Sequence, residues 1–489
     1  MWRCCQYFQY LYNHLKLVYQ INTYMNFLED NEEQDVIYLD KICETINQCG
    51  SVAIKFCQWI TPKLELIHTE EHDLIDKDRV KPLWLRKLEI FYENCNEHST
   101  EYTLQEYERV FGEHFNDKYE ILDIIGSGSI GQVYLIQDKP LKEYTARKKY
   151  VMKIIHPNVK YEIHFFRRFY NLICKFPCIK NKIRNTIPFD IHAFIDQFEE
   201  QSDFTLESNN LLKFQESYKD NDLIVIPRLI DVSETIMIMS HEPGESFEEC
   251  KLNKYQKNKL AMLFGLFTRN NQHILNYNHG DLHKGNWKIR VSDKDDNHKL
   301  VIYDFGFCWT VPREKHHLIE LTYDAFESSD KEHQELGSLA EIFHSLVIYD
   351  RDDKAEFKKR VEEFVQTNIL DLMVWSFSPV NIFKCAANLC LQENIFLDPV
   401  MIQGIIVSIQ IQLLLQEYGL QSTSKKEIKS YEVYRGRYMD FLAFCKTKDI
   451  FHDYQKNIQN KLNEKQTDVK GLFDFIDMPD SIKALALAK

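Results

Sequence analysis

Hydrophobic positions along the chain change period twice. From residue 29 to about 112, apolar and charged positions recur at helical spacing, with a glycine-bounded amphipathic segment at Ser51–Ile60. That spacing gathers apolar side chains on one face of each helix. The period then shortens to two. Tyr119–Ile125 and Val133–Gln137 read as strands joined by a glycine-rich turn, with Asp138-Lys139-Pro140 closing the second. Lys149–His156 predicts a third strand, stopped by Pro157. Helical spacing returns over residues 158–215, two short strands are expected at Leu223–Ile226 and Thr235–Met239, and Pro243-Gly244 marks a hinge. Beyond it the pattern is helical to the end of the chain, apart from one hairpin. There Trp287–Val291 and Lys299–Tyr303 flank the turn-rich stretch Ser292–His298.

A small strand-rich lobe, a hinge and a larger helical lobe make an α+β chain with the bilobal architecture of a protein-kinase-like fold, preceded by a helical extension. The expected divisions are an amphipathic N-terminal helix at 1–28, a helical extension at 29–118, the strand-rich lobe with inserted helices at 119–243, and a helical lobe with a C-terminal extension at 244–489. Internal repeats and low-complexity tracts are absent.

Composition narrows the classes. A chain of 489 residues with 44% hydrophobic and 27% charged residues has the make-up of a globular protein. Its formal charge of −14 argues against a nucleic-acid groove, which needs a basic face to displace counterions. The same charge does not oppose a Mg-nucleotide, because the metal carries positive charge into the site. Thirteen cysteines, an odd number with no CxxC spacing, fit free thiols in a reducing intracellular compartment better than a disulfide framework or a zinc site. The most apolar run, Ile405 to Leu415, is broken by Ser408, Gln410 and Gln412 and reads as a buried core helix. Residues 1–28 hold no acid, carry Arg3 and Lys16, and set Phe8, Leu11, Tyr12, Leu15 and Tyr19 at helical spacing. Such a helix either docks on the protein's own body or lies in a membrane interface. No compact apolar stretch with a small-residue cleavage site follows the start, so a signal peptide is not expected.

Four groups of residues carry the chemistry. Gly126-Ser127-Gly128-Ser129-Ile130-Gly131-Gln132-Val133 reads GxGxxGxV between two strands, where glycines let backbone amides approach phosphate oxygens. A dinucleotide-binding turn would lead into a helix; this one leads into a strand. Gly126, Gly128, Gly131 and Val133 are therefore the candidate ATP-binding loop. Lys153, in Val151-Met152-Lys153-Ile154, would neutralise the α- and β-phosphates, and a lysine on a buried strand needs a carboxylate partner. Glu207 is that candidate, on a predicted helix that also places Asp203 one turn earlier on the same face. His279-Gly280-Asp281-Leu282-His283-Lys284-Gly285-Asn286 has the spacing HxDxxxxN, which makes Asp281 the candidate catalytic residue that accepts or orients the proton of the attacking hydroxyl, and Asn286 a metal ligand. Asp304-Phe305-Gly306 follows the hairpin, which returns Asp304 beside Asn286 as a second oxygen ligand for Mg²⁺. A competing metal motif, His68-Thr69-Glu70-Glu71-His72, fits HxxEH but lies in an acidic run without a downstream ligand, and reads as a solvated stretch.

The spacing departs from ordinary protein kinases. Lys153 and Glu207 are 54 residues apart, room for inserted helices, and no Ala-Pro-Glu motif follows Asp304. Upstream, Gly50-Ser51-Val52-Ala53-Ile54-Lys55-Phe56-Cys57-Gln58 resembles the KxGQ helix of the UbiB/ADCK (aarF-domain-containing) atypical kinase family. Ser129-Ile130-Gly131-Gln132-Val133, the His156-Pro157-Asn158-Val159 strand end and Asp203-Phe204-Thr205-Leu206-Glu207 resemble that family's other motifs, over about residues 45 to 330. The resemblance implies a kinase core with a helical extension over its active site. It also implies ATP binding with atypical kinase or ATPase activity toward an unknown phosphoryl acceptor, a link to lipid or isoprenoid-quinone metabolism, and a membrane or lipid surface as partner. It makes Lys55, Gln58 and Asp203 family-specific site residues. Three positions depart: Gly126-Ser127-Gly128 stands for an alanine-rich loop, Cys57 for the KxGQ glycine, and Gln201 for a glutamate, with Glu199 and Glu200 beside it. Two alternatives stay open. The His279–Asn286 loop also resembles aminoglycoside and choline kinases, and a nucleotide-gated scaffold without catalysis would need the same ATP-binding residues.

Overall fold

A computed structural model describes residues 2–26, 32–69, 81–93, 97–139, 147–219, 221, 223–253, single positions between 256 and 271, and then 275–292, 298–312, 315, 336–374 and 379–417. The second half of the HxxEH stretch and the sequence after residue 417 lie outside the described residues, as does most of the segment that follows Pro312.

Three long helices come first: α1 (Trp2–Asn26), α2 (Glu32–Cys49) and α3 (Ser51–His68). After short helical turns, α4 (Thr100–Phe111) is capped by the Ser99 side chain, which accepts from the Tyr102 amide. Strands β1 (Tyr119–Ser127), β2 (Gly131–Asp138) and β3 (Lys149–Ile155) follow as an antiparallel meander. The expected inserted helices are α5 (Val159–Ile173), α6 (Pro177–Thr186), α7 (Ile191–Gln201) and α8 (Phe204–Tyr218). Then come β4 (Ile224–Val225), β5 (Leu229–Val232) and β6 (Ile236–Ser240). The first sheet runs in the order β1-β2-β3-β6-β5.

Its alternation of side chains organises the small lobe. Tyr134, Ile136, Met152, Ile154, Ile236 and Ile238 point to one face and bury there with Tyr107, Phe115 and Tyr119. Lys153, flanked in register by Val133 on β2 and Met237 on β6, is turned to the opposite face by the period of two. Gly131 is needed for this packing. A Cβ there would lie 2.3 Å from the Ile154 carbonyl oxygen of β3.

The large lobe contains β7 (Asn278–His279), β8 (Trp287–Arg290), β9 (Lys299–Ile302) and β10 (Cys308–Trp309), of which β8 and β9 form the expected hairpin. Leu223–Ile226, expected in the small lobe, supplies β4 to the large lobe instead, paired parallel to β9. Leu223 and Ile224 bury in the same core as Trp287, Ile289 and Leu300, and that burial decides the partner. The small lobe's fifth strand is β5, which the sequence pattern hid: it is half-buried, follows Pro227 and is bulged between Leu229 and Asp231. Helices α9 (Leu336–Ser345), α10 (Lys354–Val374), α11 (Pro379–Glu393) and α12 (Met401–Glu417), with β11 (Val347–Ile348) and β12 (Phe396–Leu397), pack a further core. The Ile405–Leu415 run lies in α12, where Ile406 and Ile409 are buried as expected.

Helix α3 enters three cores. Val52 joins the central one, Ala53 and Ile54 pack against α2, and Ile60 and Leu66 insert among the helices of the large lobe. Helix α1 is inverted relative to its hydrophobic pattern. It docks through the buried Asn13, His14 and Gln20, while Phe8 (67%), Tyr12 (62%), Leu15 (50%) and Tyr19 (69%) stay exposed. Asn13 donates to the Gln48 carbonyl, and His14 packs at a tilt against Phe165 and Phe169. None of the described helices is long and apolar enough to cross a membrane.

Candidate active site

Lys153 Nζ stands 2.6 Å from Glu207 Oε1 and 3.3 Å from Asp304 Oδ2. Glu207 is buried in the first turn of α8, where an acid suits the positive end of the helix dipole. Burial disfavours charge on Lys153, but Asp304 and Glu207 together more than offset it and raise its pKa. Asp203 stands just before α8 and not within it. It is the N-cap, accepting from the Thr205 amide at 2.9 Å, because a short carboxylate before a helix serves its unpaired amides. Phe305 is buried against Phe214 and His279, and its amide points at Glu207 Oε1 at 3.3 Å.

Asp304 has φ of 55°, a left-handed conformation costly for a residue with a Cβ. The strained backbone lets its Oδ1 accept from the Gly306 amide at 3.1 Å while Oδ2 faces Lys153. Partial desolvation opposes its charge, but Lys153, the Gly306 amide and Lys55 hold its carboxyl below the usual carboxylate range.

The catalytic-loop residues are tied to this strand. His279 is buried, its Nε2 on the Tyr303 carbonyl at 3.0 Å and its Nδ1 accepting from the Asp281 amide at 3.2 Å, which fixes the neutral tautomer with the proton on Nε2. Burial lowers its pKa accordingly. Asn286 donates through Nδ2 to the Asp281 carbonyl at 2.9 Å, and its own carbonyl accepts from Tyr303. Gln403 of α12 donates to the Gly280 carbonyl at 2.7 Å, so the C-terminal helices steady the loop. Asn286 Oδ1 and the half-exposed Asp304 carboxylate are hard oxygen donors suited to Mg²⁺, which commonly takes one or two protein oxygens and completes its octahedron with phosphates and water.

Above the cleft, the Gly128 amide donates to the Gly131 carbonyl and closes the glycine-rich turn. A Cβ at Gly126 would meet open space, so the room for a ligand is there, whereas Gly131 serves the sheet. His156 steadies the turn through Nε2 on the Gly128 carbonyl at 2.9 Å. Its Nδ1 lies 2.7 Å from His98 Nδ1, and His98 Nε2 lies 3.0 Å from the Thr103 hydroxyl, itself 2.8 Å from the Tyr134 hydroxyl. Gln132 closes the ring, donating to Tyr134 and accepting from the His98 amide. The carbonyl at one end fixes the proton on His156 Nε2, and every later hydrogen follows from it. Both imidazoles are neutral in this arrangement. Burial lowers each pKa, that of His98 to about 4 with His156 adding to it.

The remaining wall is α3. Its first amide, on Ser51, donates to Glu162 Oε2 at 2.7 Å, and Tyr10 of α1 donates to Oε1 at 2.7 Å. Gly50 makes this possible, with φ of 92° and the carboxylate 2.6 Å from where its Cβ would be. Gln58 joins the glycine-rich turn to the extension, accepting from Ser129 Oγ at 3.0 Å and donating to the Phe91 carbonyl. Lys55 lies within electrostatic reach of Asp304. Gln201 lies near Gly306, its Cγ 3.9 Å from where a Cβ there would be, while Glu199 is engaged by Arg167 at 2.6 Å. Sequence reasoning missed Glu162 and the His98–His156 pair, whose partners lie far away in the chain.

Lys153, Glu207 and Asp304 thus meet, and Asp281 and Asn286 lie on a loop bonded to Tyr303, the neighbour of Asp304. The model of the ABC1 atypical kinase-like domain matches residues 92–336, half of the chain. The chain belongs to that family. The UbiB/ADCK resemblance is borne out, and membership supports an atypical kinase function. A Dictyostelium discoideum relative described as "Probable serine/threonine-protein kinase abkC" is 30% identical over 269 residues, 53% of this chain and 36% of the relative. The ABC1 chain thus spans about a third of that relative's length. Among solved structures, Mycobacterium tuberculosis Rv3197 in complex with erythromycin aligns with a TM-score of 0.39 and 16% identity, covering 62% of this chain and 81% of that one. The Rio2 kinase from Chaetomium thermophilum, solved as an ADP/Mg²⁺-phosphoaspartate complex, aligns at 0.27 and 13%, covering 67% and 98%.

Proposed function

We propose that this protein is an active atypical kinase or ATPase that uses Mg-ATP. The observation that carries the reading is the Lys153 ammonium held between Glu207 and Asp304, charged and aimed into the cleft. In this reading Lys153 binds the α- and β-phosphates, and Asp304 with Asn286 Oδ1 holds the magnesium, whose charge would draw the phosphates together. Asp281 orients the acceptor hydroxyl. The bond from the γ-phosphorus to the β–γ bridging oxygen breaks as one to the acceptor oxygen forms, and the acceptor proton passes to the Asp281 carboxylate. With water as acceptor the same steps are hydrolysis. The family resemblance points to an acceptor in lipid or isoprenoid-quinone metabolism.

Turnover of Mg-ATP by the purified full-length protein tests this. Asp304→Ala and Asp281→Asn should each lower the rate by about a thousandfold, given that positioning and charge supply most of the catalysis. Wild-type rates no higher than these variants' would leave a nucleotide-gated scaffold as the better account.

The outward stripe of Phe8, Tyr12, Leu15 and Tyr19 favours a lipid surface as partner, since tyrosine and phenylalanine suit the headgroup boundary. Co-sedimentation with anionic liposomes should be lost when Phe8 and Tyr12 are changed to Ser, with thermal stability unchanged.

A further inference from the structure

Asn210 stands three residues beyond Glu207 on α8, and so on the same face of that helix. Its Nδ2 donates to the Phe305 carbonyl at 2.8 Å. Glu207 accepts from the Phe305 amide at 3.3 Å, so two α8 side chains take both backbone polar groups of Phe305. A carbonyl can only accept, which obliges the Asn210 amide to turn its nitrogen to Phe305 and its oxygen away. That oxygen accepts from the Tyr277 hydroxyl. Tyr277 stands just before β7, and Lys213, three residues further along α8, lies 4.4 Å from the centre of its ring. Asn210 therefore joins α8, the strand that enters the catalytic loop, and the turn that follows Asp304.

The Phe305 carbonyl and the Gly306 amide belong to one planar peptide unit and point in opposite directions. Asn210 holds the carbonyl end, with a weaker bond from the Cys308 thiol at 3.6 Å. The amide end is thereby aimed at Asp304 Oδ1, to which it donates at 3.1 Å. Asp304 keeps its left-handed φ of 55° only while its surroundings over-determine it. With the carbonyl end released, the peptide would rotate and Oδ1 would lose its donor. The carboxylate would then turn freely beside Lys153.

Resting on the reading of Asp304 as a magnesium ligand, we propose that Asn210 is a positioning residue for the metal site. It fixes the Phe305–Gly306 peptide and, through it, the direction of the Asp304 carboxylate. Outer partners of this kind set metal affinity by about ten- to a hundredfold. Magnesium demands near-ideal octahedral geometry, so a misdirected carboxylate weakens the metal more than the nucleotide. Because Tyr277 grips the same amide, the setting of the metal site also depends on how the catalytic-loop strand is seated.

Calorimetric titration of ADP into the full-length protein, without metal and across a range of Mg²⁺ concentrations, tests this without requiring turnover. Wild type is compared with Asn210→Leu, which keeps the volume and removes the amide, and with Tyr277→Phe, which removes one hydroxyl. Metal-free ADP affinity should stay within about twofold of wild type in both, because loss of a positioning partner is felt by the metal. The Mg²⁺ concentration that gives half of the strengthening of ADP binding should rise by about thirtyfold in Asn210→Leu. In Tyr277→Phe, where the carbonyl bond survives but the amide swings, it should rise by about threefold. Equal losses of metal-free and Mg²⁺-supported affinity would mean general damage and overturn the assignment. Should Asn210→Leu fail to fold, Tyr277→Phe decides alone, and an unchanged midpoint there overturns it. A wild-type Mg²⁺ response matched by both variants would remove the assignment and spare the magnesium reading. Wild-type ADP binding that ignores Mg²⁺ would remove both.

Discussion

Lys153 on β3 and Lys63 on α3 are both largely shielded from water, and their surroundings differ sharply. Lys153 grows from a strand inside a rigid sheet and meets two carboxylates within 3.3 Å. Lys63 grows from a helix interrupted by proline and, among the described residues, meets a carbonyl of its own helix and an aromatic face. Both pay the desolvation cost of burial. In one case Coulomb attraction exceeds that cost and the charge is fixed; in the other it does not, and the pKa falls to about 7. One ammonium is held between two acids, whereas the other is held by a carbonyl and a ring of its own helix.

The largest effect should follow from removing the ammonium held between acids. Lys153→Ala leaves Glu207 buried without its partner, and we expect loss of nucleotide binding together with destabilisation of about 3 kcal/mol or more. Calorimetric MgADP titration and urea unfolding measure the two. If the two ammoniums are as unlike as described, Lys63→Met should do the reverse and hold or raise stability, because it removes an uncompensated charge.

Next is the tether of α3. Glu162→Leu would strand the Ser51 amide and the Tyr10 hydroxyl at a cost of about 2 kcal/mol. The loss should fall unevenly: hydrogen exchange across residues 51–68 should accelerate while β2 and β3 keep their protection. Uniform acceleration would mean that α3 and the sheet open as one unit.

Acid should then act on the sheet wall through the imidazole pair. In the unfolded chain both histidines titrate near 6.5, and in the fold both titrate lower, His98 at about 4. The unfolded state therefore binds more protons between these values. The pair's contribution is whole above about pH 6.5 and declines as pH falls toward 4. Urea midpoints should drop over that window, and His98→Asn should flatten the drop; parallel curves would exclude the ring. The smallest expected effect is Gln58→Ala, about 1 kcal/mol for the bonds to Ser129 and Phe91, read as faster exchange in the glycine-rich turn.

The two walls also differed in how far they could be read in the sequence. Lys153, Asp281, Asn286 and Asp304 stand at fixed short spacings beside glycines and apolar strands, so local pattern names them. Glu207 needed only the added condition that a buried lysine be paired. Lys55 and Gln58 were found by family resemblance. Glu162 was invisible because its partners lie 111 and 152 positions away, on helices whose packing no local rule fixes. Asp203 was read as a helix-face residue because nothing nearby marked where α8 begins, and the cap is decided by a single turn of backbone. The inverted face of α1 misled for another reason. Helical spacing identifies the apolar stripe, but a polar face that finds a carbonyl and an aromatic bed can be the one buried.

Helix α3 also carries Cys57, facing Cys43 and Cys49 across its contact with α2, and burial pushes these thiols up to about 12, 11 and 12 respectively. Since only thiolate is nucleophilic, such groups are nearly inert while the helix is seated. Alkylation by a small maleimide then becomes a clock for the lifting of this wall. Its rate, with and without nucleotide, converts to the free energy of opening, with no probe introduced into the cleft itself.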